Sequence, residues 1–199
     1  MYLIGIDEAG RGALAGPVSV GAVLCHENFD WRECFALITK RGEPKLRDSK
    51  KLSAKQRDTL YGYITTHTAL QFGHAFTDAA TIDQIGIVPA TLRAVANAIG
   101  SLEVKPGVAR VVLDAGLRAP SVWQQESFVR GDENIPAISF ASIIAKVTRD
   151  RYMESLSDEY EPYGFAQHKG YGTSAHYAAL KSHGISDIHR RSFLDLTDE

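Results

Sequence analysis

Residues 2–24, YLIGIDEAGRGALAGPVSVGAVL, limit the class of fold that this chain can adopt. Residues 2–6 are a short apolar run that ends at the carboxylate pair Asp7 and Glu8, and residues 18–24 are a second run rich in β-forming side chains. Glycine and proline punctuate the connection between the two runs. The stretch therefore predicts a β-hairpin with two acids at the end of its first strand.

Helical and strand patterns alternate through the rest of the chain. The capping-box pair Ser53 and Gln56 predicts a helix to about residue 63, and Pro89 predicts another to about residue 99. The other predicted elements are strands at 70–76, 109–113 and 127–129 and helices at 140–157 and 174–182. This order predicts an α/β fold: a central mixed sheet with an N-terminal antiparallel hairpin, flanking helices and a short helical C-terminal part. We expect one domain over residues 1–199, with about residues 160–199 as a helical appendage.

The composition is that of an ordinary soluble globular protein, with 44% hydrophobic and 23% charged residues. A formal net charge of −2 argues against coating nucleic acid by bulk electrostatics but allows a local basic face. We find neither a signal-peptide pattern nor an apolar run of membrane-spanning length. Cys25 and Cys34 are too few for a disulfide framework or a zinc site. A cytoplasmic protein is the expectation.

Four carboxylates stand at positions typical of a metal site. Asp7, Glu8 and Asp114 come where predicted strands end, and Asp132 follows a glycine ahead of the long helix. Ligands collect at strand ends in open α/β sheets. Carboxylates that converge without matching basic partners repel one another, and such clusters normally persist by binding hard divalent cations. Each acid alone could be a cap, turn or surface residue, but the set favours a metal site.

The segment Gly10-Arg11-Gly12, followed by Gly16-Pro17, predicts a tight loop whose backbone a ligand could approach closely. Similar glycine spacing occurs in dinucleotide-binding loops. Those loops open a helix, whereas β-type sequence follows here, and Glu8 would place negative charge beside the phosphates. A dinucleotide site is therefore disfavoured.

The long helix has a polar stripe: Ser139, Ser142, Lys146 and Arg149 or Asp150 recur at steps of three and four residues. Such a stripe usually faces solvent. Its position directly after the fourth carboxylate favours the alternative, in which hydroxyls and cations lie along a phosphate backbone.

Three further segments are basic. Arg47, Lys50 and Lys51 flank residues 48–49, residues 168–173 alternate basic, flexible and aromatic side chains, and residues 189–192 add a cluster near the C-terminus. Each could be a solvated turn, loop or tail. Basic residues with an aromatic side chain between glycines also suit a groove that follows a nucleic-acid backbone.

Five segments, taken in order, resemble the signatures of the type 2 ribonuclease H family. They are GIDEAGRG (5–12), DSKKLS (48–53), ASIIAKVTRD (141–150), YGFAQHKGYGT (163–173) and HRRSF (189–193). The resemblance covers nearly the whole chain. Ala115 and Phe140 depart from the family pattern, which usually has glycine and alanine there. Related type 3 enzymes carry an extra N-terminal domain, for which the acids at residues 7 and 8 leave no room, so type 2 is preferred.

The resemblance implies an RNase H-like fold and an endoribonuclease. Its reactions would be hydrolysis of the RNA strand of RNA–DNA hybrids and incision 5′ of single ribonucleotides in duplex DNA, as in ribonucleotide excision repair. The implied catalytic and metal-binding residues are Asp7, Glu8, Asp114 and Asp132, which would hold two Mg²⁺ or Mn²⁺ ions. The products would carry a 3′-hydroxyl and a 5′-phosphate.

The resemblance also implies how the substrate is bound. Gly10, Arg11 and Gly12 would contact the 2′-hydroxyl of the ribonucleotide, and Tyr171 would sense the RNA–DNA junction. The remaining implied substrate-binding residues are Lys50, Ser142, Lys146, His168, Lys169 and Arg190. A monomer acting on duplexes is expected. Two alternatives stay open: a non-catalytic duplex-binding module and a structure-specific DNA nuclease on the same fold.

Overall fold

A computed structural model describes residues 1–46 and 49–194, in which strands and helices alternate. The strands are β1 Tyr2–Ala9, β2 Val18–His26, β3 Gln71–Thr77, β4 Ala109–Asp114 and β5 Gln125–Phe128. The helices are α1 Trp31–Ala36, α2 Ala54–Thr66, α3 Ala79–Ile85, α4 Ile87–Gly100, α5 Gly131–Asn134, α6 Pro136–Ser155, α7 Phe165–His168 and α8 Ser174–His183. Short 3-10 turns lie at Ser49–Lys51, Glu161–Tyr163 and Arg191–Phe193. Within the described residues, no helix is long and apolar enough to cross a bilayer.

The strands form one mixed sheet in the order β3-β2-β1-β4-β5. β1, β2 and β3 pair antiparallel, whereas β4 pairs parallel with both β1 and β5. The register of the parallel pair sets Ile6 opposite Leu113, so Asp7 and Asp114 follow at the same level. The predicted α/β class, mixed sheet and N-terminal hairpin are confirmed.

Helices cover both faces of the sheet. α6 lies across β1 and β2 on one face, and α4 packs on β2 and β3 on the other. Phe140 of α6 is fully buried and stacks on Phe35 of α1, with ring centroids 6.0 Å apart and planes 11° apart. The larger side chain at residue 140 thus fills the space between α6 and α1 and contributes to one of the two main apolar clusters.

Two glycines let α6 approach the sheet closely. A methyl group built on Gly5 would overlap the backbone carbonyl of Ala137, and one on Gly21 would overlap the carbonyl oxygen of Ala141. Both glycines lie within strands, where glycine weakens pairing and often marks a close backbone contact. Here the contact is with the backbone of α6.

The C-terminal part returns to the β1–β2 connection. Tyr163 and Phe165 form an apolar cluster with Ala15 and Met153. His189 pairs with Ala15 in an isolated antiparallel bridge. Beyond it, Asp83 of α3 accepts hydrogen bonds from the backbone N–H of Arg191 at 2.9 Å and of Ser192 at 3.0 Å. These contacts tie the end of the described chain to the β1–β2 connection and to α3. The expected division into one domain with an appendage stays a prediction.

The differences from the predicted elements have local causes. β1 continues to Ala9, so Asp7 and Glu8 lie within the strand and pair with β2. α4 begins at Ile87 because Gly86, with φ of 83°, ends α3 and turns the chain into the next helix. α6 begins at Pro136, four residues before the predicted start. α1 and α3 were not predicted, although Asp30 and Asp78 cap them.

We expect Gly21→Ala to destabilise the protein by about 1–3 kcal/mol or more, because the added methyl group meets helix backbone that cannot rotate away. The matched control is Gly62→Ala in α2. That position has open space around it, and alanine should stabilise an exposed helix by about 0.5–1 kcal/mol. Urea unfolding of both variants measures the difference. Equal effects would show that α6 does not depend on this close approach.

Candidate active site

Three secondary-structure elements bring the predicted acids to one end of the sheet. Asp7 is a buried residue near the end of β1, and Asp114 ends the adjacent parallel strand β4. Oδ1 of Asp114 accepts a hydrogen bond of 2.8 Å from the N–H of Gly131, the first residue of α5. α5 carries Asp132, which is buried. The turn after Asp114 takes its positive φ, 88°, at Gly116, so the preceding residue need not be glycine.

Asp7 and Asp132 are buried, Glu8 and Asp114 are partly buried, and the charges of Asp7, Glu8 and Asp114 perturb one another. Asp7 is 5% exposed, and its pKa is raised well above the usual range by burial and by the neighbouring charges of Glu8 and Asp114, against a hydrogen bond from Ser142. Burial and the charge of Asp114 also raise the pKa of Glu8, although the Arg11 guanidinium opposes the shift. Among the described residues, Oε2 of Glu8 is buried without a hydrogen-bond partner. Asp7 and Glu8 therefore lie in surroundings that disfavour their charged forms.

These acids do not by themselves form a closed metal cage. Within residues 1–46 and 49–194, no three His, Cys, Asp or Glu side chains are arranged to hold a metal ion. Glu8 is directed toward Arg11, with 3.9 Å between Oε1 and Nη1, and Asp114 is bound to Gly131. The donor chemistry nevertheless fits a hard divalent cation. Such an ion would stabilise the charged forms of Asp7 and Glu8, whose pKa values are raised, and would give Oε2 of Glu8 a partner. Metal binding by the four acids stays a prediction.

A cleft of about 540 Å³ opens beside the acids. Its acidic end is Glu8, and four cations lie along the rest of it: Arg11, Lys50, Arg57 and Lys146. The other lining residues are Ala9, Gly10, Gly12, Ser49, Ser142 and Tyr171. The cleft thus combines a carboxylate end with a basic, partly apolar channel, which suits a polyanion whose reacting group lies near the acids.

Residues 10–12, the glycine loop, form one wall of the cleft. Two buried guanidinium groups bind backbone carbonyls of this loop and of residues 15–17 from the protein interior. Arg149 donates hydrogen bonds to the carbonyl oxygens of Pro17 at 2.8 Å and Ala15 at 3.0 Å. Arg190 donates to the carbonyl oxygens of Arg11 and Gly16, both at 2.9 Å. In a trans peptide the C=O and N–H point in opposite directions. The Arg11 carbonyl faces Arg190, so the N–H of the next residue, which lines the cleft, is turned away from the buried arginine.

Tyr171 meets this loop across the cleft. Its hydroxyl accepts a hydrogen bond of 3.2 Å from the N–H of Gly10, whose φ is 80°. Two cations lie over its ring: Nζ of Lys146 is 5.5 Å and Cζ of Arg149 is 5.2 Å from the ring centroid. A side chain at residue 10 would overlap the Arg149 guanidinium, so both the positive φ and the packing require glycine there.

The structure brings most of the predicted substrate-binding residues into this cleft. Lys50, Ser142 and Lys146 line it together with the loop of residues 10–12 and Tyr171. Ser142 is buried, and its Oγ is 2.8 Å from Oγ of Ser49. Arg47 and Asp48 of the predicted basic segment lie outside the described residues.

Direct phosphate binding by Arg190 stays a prediction, and the position of its side chain does not favour it. Its side chain is fully buried, and its hydrogen bonds go to the glycine loop. Burial and the like charge of Arg149 lower the pKa of Arg190 to about 9. The polar stripe of α6 is likewise not a solvated face, because Ser139, Ser142 and Arg149 are all buried.

His168 and Lys169 are not among the lining residues of the cleft. The His168 ring contacts the carbonyl oxygen of Tyr163 through Nε2 at 2.7 Å and accepts from the N–H of Gly170 through Nδ1 at 3.2 Å. Nζ of Lys169 is 3.0 Å from Oε1 of Glu154. Both side chains therefore support the loop that carries Tyr171, and direct phosphate binding by either stays a prediction that the cleft does not favour.

Sequence reasoning missed Arg57 and Ser49, both of which line the cleft. Arg57 donates to the carbonyl oxygen of Ser49 at 3.2 Å, and its guanidinium lies 3.8 Å from Asp150. The available signal was the position of Arg57, one turn into the helix that begins at the capping box. A helix start directly after a basic segment places such a side chain beside that segment.

Comparisons with known proteins agree with this geometry. A family model described as ribonuclease HII matches residues 4–196. The chain is 44% identical over 193 residues to a ribonuclease HII of Coxiella burnetii, covering 97% of this chain and 88% of that protein. It is 42% identical over 197 residues to a ribonuclease HII of Bacillus thuringiensis, covering 99% of this chain and 70% of that protein. The crystal structure of ribonuclease H2 from Pyrococcus horikoshii superposes with a TM-score of 0.74 at 26% identity, covering 96% of this chain and 93% of that one.

We expect Asp7→Asn to raise the melting temperature of the metal-free protein, because it removes a buried charge that its neighbours oppose. A gain of about 1 kcal/mol would correspond to roughly 2–4 °C for a chain of this size. Adding Mg²⁺ should then stabilise the wild type more than the variant. Asp158→Asn, at an exposed position, is the control and should change neither value. Equal Mg²⁺ shifts in wild type and Asp7→Asn would remove Asp7 from the metal site.

Proposed function

Because the chain belongs to the ribonuclease HII family of metal-dependent endonucleases that act on RNA–DNA hybrids, we propose that it also cuts duplex DNA on the 5′ side of a single embedded ribonucleotide. Its role would be to start the removal of ribonucleotides from DNA. The observation that carries the proposal is the contact between the glycine loop and Tyr171 beside the carboxylates.

The glycine loop would distinguish ribose from deoxyribose. A 2′-hydroxyl both donates and accepts hydrogen bonds, so backbone groups of a tight loop can distinguish it from a hydrogen atom. Arg190 holds the Arg11 carbonyl, which turns the following N–H, that of Gly12, away from the protein interior. Gly12 has open space around its Cα, so a sugar can approach that backbone. These features support recognition of the 2′-hydroxyl by residues 10–12.

Tyr171 would distinguish deoxyribose from ribose in the nucleotide on the 3′ side of the ribonucleotide. At a lone ribonucleotide this next sugar is deoxyribose, and an aromatic ring can pack against its unhydroxylated edge. The hydroxyl of Tyr171 is bonded to Gly10, so the ring is held at a fixed place relative to the loop that would bind the ribose. The glycine loop and Tyr171 would thus recognise neighbouring nucleotides of the same strand.

Cleavage is proposed to use two divalent cations, Mg²⁺ or Mn²⁺, which supply an activated water and stabilise the leaving 3′-oxygen when bound. Asp7, Glu8, Asp114 and Asp132 would hold them. Asp7 and Asp132 are buried, and the Ser142 hydroxyl favours the charged form of Asp7, which is the form that binds a cation. The products would be a 3′-hydroxyl and a 5′-phosphate.

The substrate backbone would be held by the cations of the cleft. Arg11, Lys50, Arg57 and Lys146 lie along it, and such contacts fix the register of a duplex without reading its bases. Lys146 is also bound to Asp150, with 2.7 Å between Nζ and Oδ1. That pairing fixes the lysine side chain along the wall of the cleft.

The direct test is cleavage of three duplexes of the same sequence: one with a single ribonucleotide, one RNA–DNA hybrid and one of DNA alone. Each is incubated with Mg²⁺, with Mn²⁺ and with EDTA. We expect cleavage of the first two with metal and of none with EDTA. Cleavage of the all-DNA duplex would favour a structure-specific DNA nuclease, and binding without cleavage would favour a non-catalytic duplex-binding module.

We expect Asp132→Asn to lower the cleavage rate by orders of magnitude while duplex affinity stays within about tenfold, because the acids serve the chemistry and the basic residues hold phosphate. Single-turnover cleavage and a binding titration measure the two quantities. Glu133→Gln is the neighbouring control, since Glu133 pairs with Lys51 at 2.9 Å. It should retain cleavage. Normal turnover of Asp132→Asn at saturating Mg²⁺ would contradict the four-carboxylate assignment.

We expect Tyr171→Ala to lose about tenfold more kcat/KM on the single-ribonucleotide duplex than on the hybrid, because ring packing on deoxyribose is lost. Tyr171→Phe keeps the ring but loses the hydroxyl that accepts from Gly10, so its loss should be smaller. The measurement is kcat/KM of both variants on both duplexes. Equal losses of Tyr171→Ala on the two substrates would mean that Tyr171 binds substrate without sensing the junction.

A further inference from the structure

Behind Tyr171, on the side away from the cleft, lies a group of three histidines. His176 and His189 are buried, and His168 stacks on His176 with ring centroids 4.5 Å apart and planes 15° apart. Nδ1 of His176 is 3.0 Å from the carbonyl oxygen of Tyr171. Nε2 of His176 is 3.0 Å from Nε2 of His189. The proposed cleavage chemistry uses none of these rings.

The contacts at the two ends fix where the protons are. A carbonyl oxygen can only accept, so Nδ1 of His176 must carry hydrogen and donate it to Tyr171. Nδ1 of His189 accepts from the N–H of Ser186 at 2.9 Å, so it carries no hydrogen. Nε2 of neutral His189 is then protonated, and it donates to the bare Nε2 of His176. With both rings neutral, one proton arrangement satisfies these contacts, and in it Oγ of Ser186, 2.7 Å from Nδ1 of His189, also donates to that nitrogen. The arrangement runs from Ser186 through both rings to the backbone of Tyr171.

An added proton would break this arrangement. A proton on Nε2 of His176 would face the N–H of His189. A proton on Nδ1 of His189 would face the N–H of Ser186, and its one acceptor there would be Oγ of the same serine, 2.7 Å from Nδ1. Burial and the nearby His176 lower the pKa of His189 to about 4, and burial also lowers the pKa of His176. The other groups that face the pair are the rings of His168, Tyr163 and Phe165 and the carboxylate of Asp187, which acts to raise the pKa of His189. The pair is therefore neutral at neutral pH.

The same segment also shapes the glycine loop. His189 bridges to Ala15, and the N–H of Arg190 donates to the carbonyl oxygen of Leu14 at 2.8 Å. The Arg190 side chain then binds the carbonyl of Arg11. Tyr171 and the glycine loop contact each other, and consecutive residues support the two. His189 is linked to Tyr171 through His176, and Arg190 binds the glycine loop directly.

We propose that His176 and His189 are positioning residues, whose ordered hydrogen bonds set the backbone of Tyr171 and thereby the discrimination between a lone ribonucleotide and an RNA–DNA hybrid. The inference rests on the proposed function of Tyr171. Neither histidine lines the cleft, and their contact with its lining is the hydrogen bond from His176 to the backbone of Tyr171. Loss of the pair should therefore alter specificity while leaving the cleavage chemistry in place.

Nitrogen-15 NMR of the imidazole rings tests the proton order without reference to activity. We expect neutral rings at pH 7, with hydrogen on Nδ1 of His176 and on Nε2 of His189, and no protonation of His189 down to about pH 5. A charged ring at pH 7, or the opposite tautomer in either residue, would overturn the proposed order. The NMR measurement does not depend on cleavage. Failure to cut at single ribonucleotides would contradict the proposed function but not the proton order.

Stability provides a second readout. Unfolded histidine titrates near pH 6.5 and His189 in the folded protein at about 4, so the unfolded state binds more protons as the pH falls. The contribution of neutral His189 is therefore complete above about pH 6.5 and is lost progressively toward pH 4. His189→Gln retains an N–H donor toward His176 but cannot take up the proton. Urea unfolding from pH 7 to 4.5 should show less acid sensitivity in this variant, and equal sensitivity would count against a buried neutral His189.

The specificity test compares two variants of His176 by the ratio of kcat/KM on the single-ribonucleotide duplex to that on the hybrid. His176→Phe keeps the ring but removes the donor, and we expect the ratio to fall about three- to tenfold, as for loss of one neutral hydrogen bond. His176→Asn keeps an N–H near the position of Nδ1 and should restore most of the ratio. An unchanged ratio in folded His176→Phe overturns the proposal. If His176→Phe does not fold, a ratio in His176→Asn as low as that of Tyr171→Ala overturns it instead.

Discussion

The close packing of α6 on β1 and β2 is the constraint on which the rest of the molecule depends. Gly5 and Gly21 have no side chain to hold the helix at an ordinary distance, so its backbone lies against the strands. That contact sets the position of α6 relative to the strand that carries Asp7. Ser142 then comes beside Asp7, and Lys146, one turn later, comes to the wall of the cleft. The distance between these two polar groups of the cleft is thus set by their spacing along one helix.

Much of the fold and part of the site could be predicted because the signals are local. The hairpin follows from two β-rich runs and a glycine-rich connection, and the capping box of Ser53 marks the start of α2. The acids could be located because each follows a recognisable strand or precedes a helix. The resemblance supplied the glycine loop and Tyr171, and the cleft contains both.

The remaining features depend on contacts between distant parts of the chain. A charged residue near the C-terminus normally lies in solvent, so Arg190 was expected on a phosphate. Its burial is possible because the carbonyl oxygens of Arg11 and Gly16 accept its hydrogen bonds, and nothing near residue 190 in the sequence indicates those partners. The same holds for Arg149 and for the pairing of His176 with His189. Buried polar groups form hydrogen bonds with groups from distant parts of the chain. These partners can therefore be identified only when the fold is known.

The hold of the C-terminal segment on the glycine loop has a consequence for how the protein is made. The acids of β1 and β4 emerge from the ribosome early, and the sheet can begin to pair before synthesis ends. The loop of residues 10–12 takes its shape from Arg190, and the segment that includes Arg190 is anchored to Asp83 by the backbone N–H groups of Arg191 and Ser192. A chain still in synthesis, before these residues are released, therefore has Asp7, Glu8 and Asp114 but lacks the contacts that shape residues 10–12. A segment that is synthesised late thus completes a wall of the cleft that a segment synthesised early begins.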